Sequence, residues 1–571
     1  MTEGEGLVRI GHLANSAAVP ALVDLNKLVT RHCAVLGTTG SGKSTTVVGL
    51  IASLCTDDYP SARILVFDIH GEYTAALHDL SSTFCVTSAN RDQAAPLHIP
   101  YWAMTFDELL SVTFGDVDDV ARGAIMEHIT ALKAAAIHAS PKSGVNGENL
   151  TVDTPVPFSL HHLWLALHRQ VCATYTAAGS GQDNSTIAYV LDESGRPVQS
   201  GDAWRVIPPL CKMQNQARAA EKIFLSASPL NIRRQLDGLA SKLRDPRYDF
   251  LFRPGPWAPD ELGATAKDLD SFLANWLGSE KPVTILDLSG VPASILTQII
   301  GVLLRIVYDS LSWARRISEG AVERPLLIVL EEAHAYLGKA DESRAGIAVR
   351  RIVKEGRKYG IGALIVSQRP AEIDPTILSQ CGSIVAMRLS NPTDRSHVTG
   401  TVADNLEGLL DMLPVLRTGE AIVVGESVRI PMRALIDLPA RNRRPDSGDP
   451  LIHVNLNVEH VAPFPGGWNR RLEPVDFRDV CSVWRRQDTR IERILARQEG
   501  QIVNRTPVSS STFSSIGYDH ATQTLEVEFI DGRIYQYFDV PSSVFEELIA
   551  SDSIGKFYNG QIRGVFRFAR L

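Results

Sequence analysis

The sequence of 571 residues lacks the marks of several protein classes. Its seven cysteines stand far apart without a CxxC pair, which argues against a disulfide framework or a zinc site and favours a reducing compartment. No apolar run approaches the roughly 20 residues of a membrane-spanning helix. The N-terminal "MTEGEG" is acidic, unlike a signal peptide. We therefore expect a cytoplasmic protein with no membrane partner.

The sequence also lacks an excess of positive charge. Its 57 Lys and Arg residues against 65 Asp and Glu give a formal net charge of -8. Any binding to nucleic acid must therefore come from local basic patches. The composition, 44% hydrophobic and 21% charged, is that of a globular protein. The length predicts about two to four domains.

Short apolar runs, present throughout much of the chain, predict strands of a covered sheet. Their apolarity is continuous rather than alternating, which suits strands buried on both faces of a parallel sheet. Segments that read as helices lie between them, for example at 44–54, 294–315 and 343–358. This alternation predicts a doubly wound α/β domain. The predicted strands are 32–37, 62–68, 282–289, 325–331, 362–368, 383–390 and 419–425.

The rest of the chain breaks this regularity. Residues 105–280 read as mostly helical and are interpreted as an insertion that divides the α/β core into parts at 1–104 and 281–436. A polar connector at 437–511 contains a charged helix near 475–498, and the Ser/Thr-rich "TPVSSSTFSS" at 506–515 reads as a linker. Residues 512–571 read as a small α+β domain, in which "TLEVEFIDGRIYQYF" predicts a hairpin and "PSSVFEELIA" a helix.

The segment "GTTGSGKS" at 37–44 fits the P-loop pattern and follows a predicted strand. Its glycines let consecutive N–H groups point at phosphate, and the next helix adds its positive dipole end. Lys43 would reach the β- and γ-phosphates of ATP, and Ser44 would bind Mg²⁺. The alternative is a chance Gly/Ser loop. The predicted nucleotide-binding residues are Gly37, Thr38, Thr39, Gly40, Ser41, Gly42, Lys43, Ser44 and Thr45.

Two adjacent carboxylates end the apolar run "LIVLEEAHAYL" at 327–337. Buried together they would repel, unless a metal ion compensates them. In P-loop NTPases an acid at a strand end helps to hold Mg²⁺, and a second acid can act as general base. We assign Glu331 to the metal and Glu332 to the attacking water. The alternative is a pair of solvated glutamates at an exposed strand end.

A third strand, "GALIVSQRP" at 362–370, ends in Gln368, which could sense the γ-phosphate or position water. Before it, "AVRRIVKEGRKYG" at 348–360 carries a basic cluster on one helical face. This cluster has three readings, namely a solvated face, an arginine finger for a neighbouring subunit, or contacts to a nucleic-acid backbone.

With these motifs, the chain resembles the HerA branch of the HerA/FtsK ATPases. The resemblance spans roughly residues 7–435 and implies a RecA-like P-loop NTPase core, ATP hydrolysis and a six-membered ring that pumps double-stranded DNA. Besides the motifs above it rests on "ILVFDIHGEY", "LHIPYW", "ILSQCGS" and "LRTGEAIVVG".

The resemblance also implies roles for single residues. Lys43 and Ser44 match Walker A, Glu331 and Glu332 match Walker B, and Gln368 matches the sensor. Arg357 matches the arginine that acts in trans. The "DIHGEY" signature contains Asp68, His70 and Glu72, of which Asp68 would support the metal. His334 also belongs to the family pattern, either as a structural or as a catalytic histidine.

The sequence departs from the family pattern in two ways. Walker B usually begins with Asp, whereas Glu331 stands here, so its contact with the metal could run through water or use another rotamer. Family members carry an N-terminal β-barrel before "IGHL", but only about ten residues precede that point. We expect the barrel to be absent or truncated.

Residues 512–571 resemble the KTSC domain through "YQY" at 535–537 and "SIGKFYNGQIR". Tyr535 and Tyr537 share a strand face, and basic residues are scattered through the domain, namely Arg533, Lys556, Arg563 and Arg567. Aromatic and basic side chains together could bind nucleic acid. The alternative is that the aromatic residues form the core of a small domain.

The leading functional hypothesis is a ring-forming, Mg²⁺-dependent ATPase that moves along DNA beside a separate effector. The resemblance implies that this effector is a nuclease or a sirtuin-like NAD hydrolase, in anti-phage defence or DNA-end processing. The alternative hypothesis is an ATP-dependent scaffold that regulates the effector with little translocation. An ABC-type ATPase is disfavoured because "LSGVPAS" at 288–294 departs from an LSGGQ signature.

Overall fold

A computed structural model of the protein describes residues 6–445, except 87–93, 143, 215–221, 339–342 and 402–406, and residues 505–570. Within the latter range, residues 509, 511, 521–522, 531–533, 539, 552 and 564 are excepted. Contacts divide the chain into two units, Met1–Arg490 and Ile491–Leu571. The charged helix expected near 475–498 lies outside the described residues.

The first unit is built on one large sheet. Its strand order is β2-β1-β14-β13-β12-β3-β11-β10-β4-β9-β5-β6, and β7 pairs with β8 separately. The strands are β1 Leu7–Leu13, β2 Ser16–Asp24, β3 Cys33–Leu36, β4 Ile64–Asp68, β5 Ser81–Cys85, β6 Ala95–Pro96, β7 Thr174–Tyr175, β8 Phe224–Leu225, β9 Val283–Asp287, β10 Leu326–Leu330, β11 Ile361–Ser367, β12 Ser383–Ala386, β13 Glu420–Gly425 and β14 Met432–Ile436.

The helices of this unit cover both faces of the sheet. They are α1 Leu25–Thr30, α2 Lys43–Leu54, α3 Tyr73–Ala76, α4 Phe106–Val112, α5 Asp119–Ala139, α6 Leu160–Cys172, α7 Arg233–Arg244, α8 Asp249–Phe252, α9 Leu269–Leu277, α10 Ala293–Trp313, α11 Arg344–Glu355, α12 Pro375–Ser379, α13 Pro392–Thr399 and α14 Glu407–Leu410.

The seven predicted strands are present, and burial explains their continuous apolarity. In β10, Leu326, Ile328 and Leu330 belong to the core on one face of the sheet. Leu327 and Val329 belong to the core on the other face. Because successive side chains point to opposite faces, a strand covered on both sides needs apolar residues at every position. The α/β fold class is confirmed.

One edge of the sheet differs from the parallel arrangement that was predicted. The eight consecutive strands β12, β3, β11, β10, β4, β9, β5 and β6 are parallel to one another. Strand β13 is antiparallel to β12, and β14, β1 and β2 continue antiparallel beyond it. Because buried strands of either direction are apolar throughout, the sequence pattern did not reveal that 420–425 runs the other way.

Helices α4–α9 and the short β7–β8 pair occupy much of residues 105–280. Their apolar residues, among them Ile125, Leu163, Leu236 and Trp276, share one continuous core with the sheet. The region therefore packs directly on the sheet. Its predicted limits, like the other predicted domain limits, stay predictions.

Helix α10 is long and apolar enough, with its extension to Arg316, to cross a membrane by composition alone. The sequence predicts this helix at 294–315, but its apolar length was not apparent because Gln298, Arg305 and Asp309 interrupt the apolar run. Much of the helix, 61% of its most apolar stretch, is buried inside the protein. It packs along α11.

The second unit is a small antiparallel sheet with two helices. Its strands are β15 Thr506–Pro507, β16 Phe513–Asp519, β17 Thr524–Phe529, β18 Ile534–Phe538 and β19 Arg567–Arg570, and its helices are α15 Ser542–Ala550 and α16 Ile554–Gln561. The predicted β17–β18 pairing is present, with Leu525 opposite Tyr537. The segment read as a linker at 506–515 instead contributes β15 and the start of β16.

The buried histidine before β3 makes the stability of the first unit depend on pH. His32 is 4% exposed, and its Nδ1 accepts the N–H of Ala363 at 3.1 Å. Burial lowers the pKa of His32 to about 4. Because the folded pKa lies below the ordinary value of about 6.5, acidification favours the unfolded chain. The contribution of His32 is complete above pH 6.5 and is lost between about pH 6.5 and 4.

We expect this histidine alone to remove about 3 kcal/mol of stability across that range, at about 1.4 kcal/mol per pH unit. His32→Asn keeps an acceptor for the Ala363 N–H but cannot titrate. The thermal midpoint of the variant should therefore fall less between pH 7.5 and 5 than that of the wild type. The exposed His138→Asn is the control, and equal pH dependence in all three proteins would contradict the assignment.

Candidate nucleotide site

Residues 37–42 form a loop between β3 and α2, the context expected of a P-loop. Gly40 and Gly42 have φ angles of 73° and 92°, which strain residues other than glycine. The N–H of Thr38 donates to the carbonyl of Arg388 at 2.9 Å. Helix α2 begins at Lys43, so its first N–H groups lie at the loop and are available to phosphate.

Two segments outside the P-loop motif hold this loop. Arg388, after β12, donates from Nη2 to the carbonyl of Gly40 at 3.1 Å. The hydroxyl of Thr418, before β13, donates to the same carbonyl at 3.2 Å. Neither residue was among the predicted site residues. Arg388 lies inside the predicted strand 383–390 and Thr418 directly before the predicted strand 419–425, so their positions in the sequence did not mark them as P-loop contacts.

The two acids after β10 diverge because the backbone turns between them. The N–H of Glu331 donates to the carbonyl of Phe67 at 3.2 Å, which extends the strand ladder by one residue. Glu332 has φ 45° and ψ 46°, a left-handed conformation that is uncommon outside glycine. Lys43 Nζ donates to Glu332 Oε1 at 2.5 Å and lies 3.8 Å from Glu331 Oε1. The lysine therefore bridges both acids.

Glu331 is 1% exposed and is held by two tyrosines. The hydroxyl of Tyr73 donates to its Oε2, and the hydroxyl of Tyr336 donates to its backbone carbonyl at 2.9 Å. Burial raises the pKa of Glu331 to about 8, although Lys43 and Tyr73 act in the opposite direction. A bound cation would compensate this carboxylate. The longer side chain that replaces the usual Asp reaches Tyr73, the last residue of "HGEY".

The pKa of Glu332 is shifted in the opposite direction to that of Glu331. Burial raises its pKa, but His334 and Lys43 outweigh burial and hold the pKa at about 2. Nδ1 of His334 lies 3.1 Å from Glu332 Oε2. This is an ion-pair distance without the alignment of a hydrogen bond. His334 also lies 3.4 Å from the hydroxyl of Ser367. The histidine and tyrosine of "EEAHAY" thus support the two acids, a role that the sequence did not reveal.

Asp68 ends β4, beside β10. Its carboxylate accepts hydrogen bonds from the loop that follows. It accepts the N–H groups of His70 at 3.2 Å, Gly71 at 2.7 Å and Tyr73 at 3.0 Å. Burial, aided by nearby Asp287, raises the pKa of Asp68 to about 6 although the N–H groups lower it. These bonds fix the position of Tyr73, whose hydroxyl donates to Glu331. A metal role for Asp68 stays a prediction.

Gln368 follows β11 at the same edge of the sheet. Its Oε1 accepts the hydroxyl of Thr39 in the P-loop at 2.6 Å. This bond joins the predicted sensor to the phosphate loop. The structure therefore brings together Lys43, both glutamates and Gln368 at the carboxyl ends of neighbouring strands.

Arg357 lies elsewhere. It is exposed in the 3₁₀ segment Gly356–Tyr359, which leads into the amino end of β11. Strand β11 runs from Ile361 to Ser367, so at about 3.3 Å per residue it separates Arg357 from its own chain's site by roughly 20 Å. Two other members of the basic cluster differ, since Arg350 is paired with Asp374 and Arg351 with Asp309.

The oxygen groups at this edge suit a hard divalent cation. Ser44 lies in the first turn of α2, and its hydroxyl has no hydrogen-bond partner among the described residues. The buried Glu331 carboxylate has a raised pKa that a cation would lower. Hydroxyl and carboxylate oxygens are ligands that Mg²⁺ accepts. The residues present therefore fit Mg²⁺.

In the second unit, aromatic residues form the core. Tyr537 is 2% exposed and its hydroxyl pairs with that of Tyr558, while Tyr535 packs against the same core. Lys556 and Arg563 are exposed. Arg533 and the side chain of Arg567 lie outside the described residues. The packing favours the core interpretation of the tyrosines.

Each of the two units matches a known protein family. Residues 8–307 match the family described as the central domain of helicase HerA, and residues 509–566 match the KTSC domain. A KTSC domain protein of Yersinia pestis, known from its crystal structure, is 38% identical and covers 12% of this chain and 97% of its own, with a TM-score of 0.12.

The relatives of the first unit include archaeal proteins. A probable helicase of Methanocaldococcus jannaschii is 25% identical over 428 residues, which cover 75% of this chain and 69% of the relative. The DNA double-strand break repair helicase HerA of Sulfurisphaera tokodaii is 27% identical over 437 residues, covering 76% and 70%. With a P-loop, paired acids and Gln368 at one sheet edge, this chain is an ATP hydrolase that belongs to the HerA helicase family.

Proposed function

We propose that the protein is a Mg²⁺-dependent ATPase that assembles into a ring, with six subunits as the expected number, and moves along double-stranded DNA. The observation that carries the proposal is the contact of Lys43 with Glu332 beside the P-loop. The names of the relatives, which include DNA double-strand break repair helicases, support DNA as the polymer. The family resemblance supports a separate effector, a nuclease or a sirtuin-like NAD hydrolase, in anti-phage defence or DNA-end processing.

The site suggests how nucleotide binding prepares hydrolysis. Lys43 is the P-loop cation for the β- and γ-phosphates, so it must leave Glu332 when ATP binds. Its departure removes an interaction that lowers the pKa of Glu332. Glu332 then becomes a better acceptor for the proton of the attacking water. Gln368, tied to Thr39, is placed to orient that water, and bound Mg²⁺ would compensate Glu331.

Glu332→Gln should bind ATP but lose turnover by about 100-fold or more, the usual contribution of a general base. Binding should remain because the amide keeps the shape of the side chain while Lys43 is freed for phosphate. Fluorescent-nucleotide titration and steady-state ATPase assays measure the two effects. Lys43→Ala is the matched variant and should lose binding itself. Unchanged turnover in Glu332→Gln would remove Glu332 as the base.

Tyr73→Phe removes the hydroxyl that holds Glu331 and leaves the ring in place. We expect turnover to fall about tenfold and the Mg²⁺ concentration for half-maximal rate to rise, because a buried carboxylate loses a hydrogen bond worth about 1–3 kcal/mol. Tyr101→Phe removes another buried hydroxyl, which donates to the carbonyl of Phe158 at 2.6 Å in the helical region. This control should retain turnover and Mg²⁺ dependence. Similar Mg²⁺ profiles for the two variants would contradict the role of Tyr73.

Arg357→Ala should keep ATP binding and lose turnover by about 1,000-fold, the low end for an arginine finger. Because Arg357 lies roughly 20 Å from its own site, its effect should act between subunits. Inactive Arg357→Ala mixed with inactive Glu332→Gln should regain turnover, because some sites then combine the intact Glu332 of one chain with the intact Arg357 of another, while Arg350→Ala is the basic-residue control. Failure of the mixture to regain any turnover would contradict action in trans.

Directional displacement of a DNA-bound roadblock, together with stimulation of ATPase activity by DNA, tests translocation itself. Turnover that ignores DNA but alters the activity of a co-purified effector would instead support the regulatory scaffold.

A further inference from the structure

The C-terminal end of α10 carries an exposed apolar surface in the first unit. Trp313 is 89% exposed, Ile317 56% and Val322 47%. We call these three residues the Trp313 patch. A tryptophan that is almost wholly exposed leaves a large apolar area in contact with water, which is unfavourable. Tryptophan is also enriched among residues that anchor protein interfaces.

Helices α10 and α11 lie side by side in the same direction. Gly301 faces the start of α11, where an added side chain would meet Ala345. Further along, the hydroxyl of Tyr308 donates to Glu355 at 2.9 Å. At the end, the guanidinium of Arg315 lies 5.7 Å from the ring centre of Tyr359.

These facing pairs place Trp313 at about the same height along the two helices as Arg357. The loop that continues the patch reaches the same point, because Gly360 packs closely against the carbonyl of Ala321. The apolar patch therefore borders the arginine that the family resemblance assigns to a neighbouring subunit.

The surroundings of the patch are basic. Arg316, Lys354, Arg357 and Lys358 are exposed, and none of them has an ion-pair partner among the described residues. Arg351 on the same helix is paired with Asp309. Unpaired cations beside an apolar patch suit a partner that brings both an apolar contact and an anion.

The anion cannot be the nucleotide of the same chain. That nucleotide would lie at the carboxyl ends of the parallel strands, whereas Arg357 lies at the amino end of β11, roughly 20 Å away. A head-to-tail contact between copies brings these opposite edges together. The rim of the site also exposes an apolar residue, since Val415 is 70% exposed and lies near Thr418, which holds the P-loop.

We infer that the Trp313 patch is the surface by which one copy of this chain packs on the nucleotide-site rim of a second copy, near Val415, and so delivers Arg357 to the second copy's phosphates. The inference rests on the proposed ring-forming ATPase. It assigns to Trp313 a positioning role for Arg357 rather than a catalytic one.

Trp313→Ala tests the inference in the full-length protein. Because the side chain is exposed, the fold should be retained, which circular dichroism checks. Self-association in the presence of a non-hydrolysable ATP analogue should weaken roughly 30-fold by sedimentation velocity, the effect of losing an interface hot spot. Met213→Ala, at a residue that is 90% exposed in the helical region, is the matched control and should associate as the wild type does.

Trp313→Phe should restore part of the association, because an aromatic anchor returns. A photo-crosslinking amino acid at position 313 should give products between chains that contain the segment around Val415. Undiminished association of Trp313→Ala, or crosslinks confined to one chain, would overturn the inference and leave the ATPase proposal standing. A wild-type protein that hydrolyses ATP as a monomer would instead overturn the ring itself.

Discussion

The site depends on the charge balance of two glutamates at the end of one buried strand. Glu331 continues the strand into the core, and Glu332 turns away in a left-handed conformation. Lys43 lies within ion-pair distance of both, so the P-loop and the strand β10 meet through one cation. Tyr73, Tyr336 and His334 complete the support. Without this compensation two adjacent buried carboxylates would be costly.

The same lysine links charge balance to function. Glu332 is stabilised as a carboxylate by Lys43 and His334, and a strongly stabilised carboxylate is a weak base. ATP competes for the lysine with three negatively charged phosphates. The proposed binding step therefore exchanges one ion pair for another and leaves Glu332 more basic where the water must be activated. A contact that stabilises the free protein then becomes the means by which substrate prepares the site.

Much of this arrangement was predictable because the motifs lie at the ends of apolar runs. Parallel strands end at one edge, so Lys43, Glu331, Glu332 and Gln368 had to converge. Which atoms would meet was not predictable, since it depends on the left-handed turn at Glu332 and on the bonds of Asp68 that place Tyr73. The antiparallel direction of β13 was missed for a related reason. Burial on both faces gives the same apolar pattern in either direction.

The geometry of a parallel sheet also explains why one chain is insufficient for the proposed reaction. The carboxyl ends of the parallel strands lie at one edge, and that edge holds the P-loop, both acids and Gln368. The segment that carries Arg357 precedes β11 and must lie at the opposite edge. A rigid strand separates the two, so no side-chain rotation within a chain can join them. In the proposed ring, contact between opposite edges of two copies would place this arginine at a nucleotide, and the exposed Trp313 beside it would be buried by the same contact.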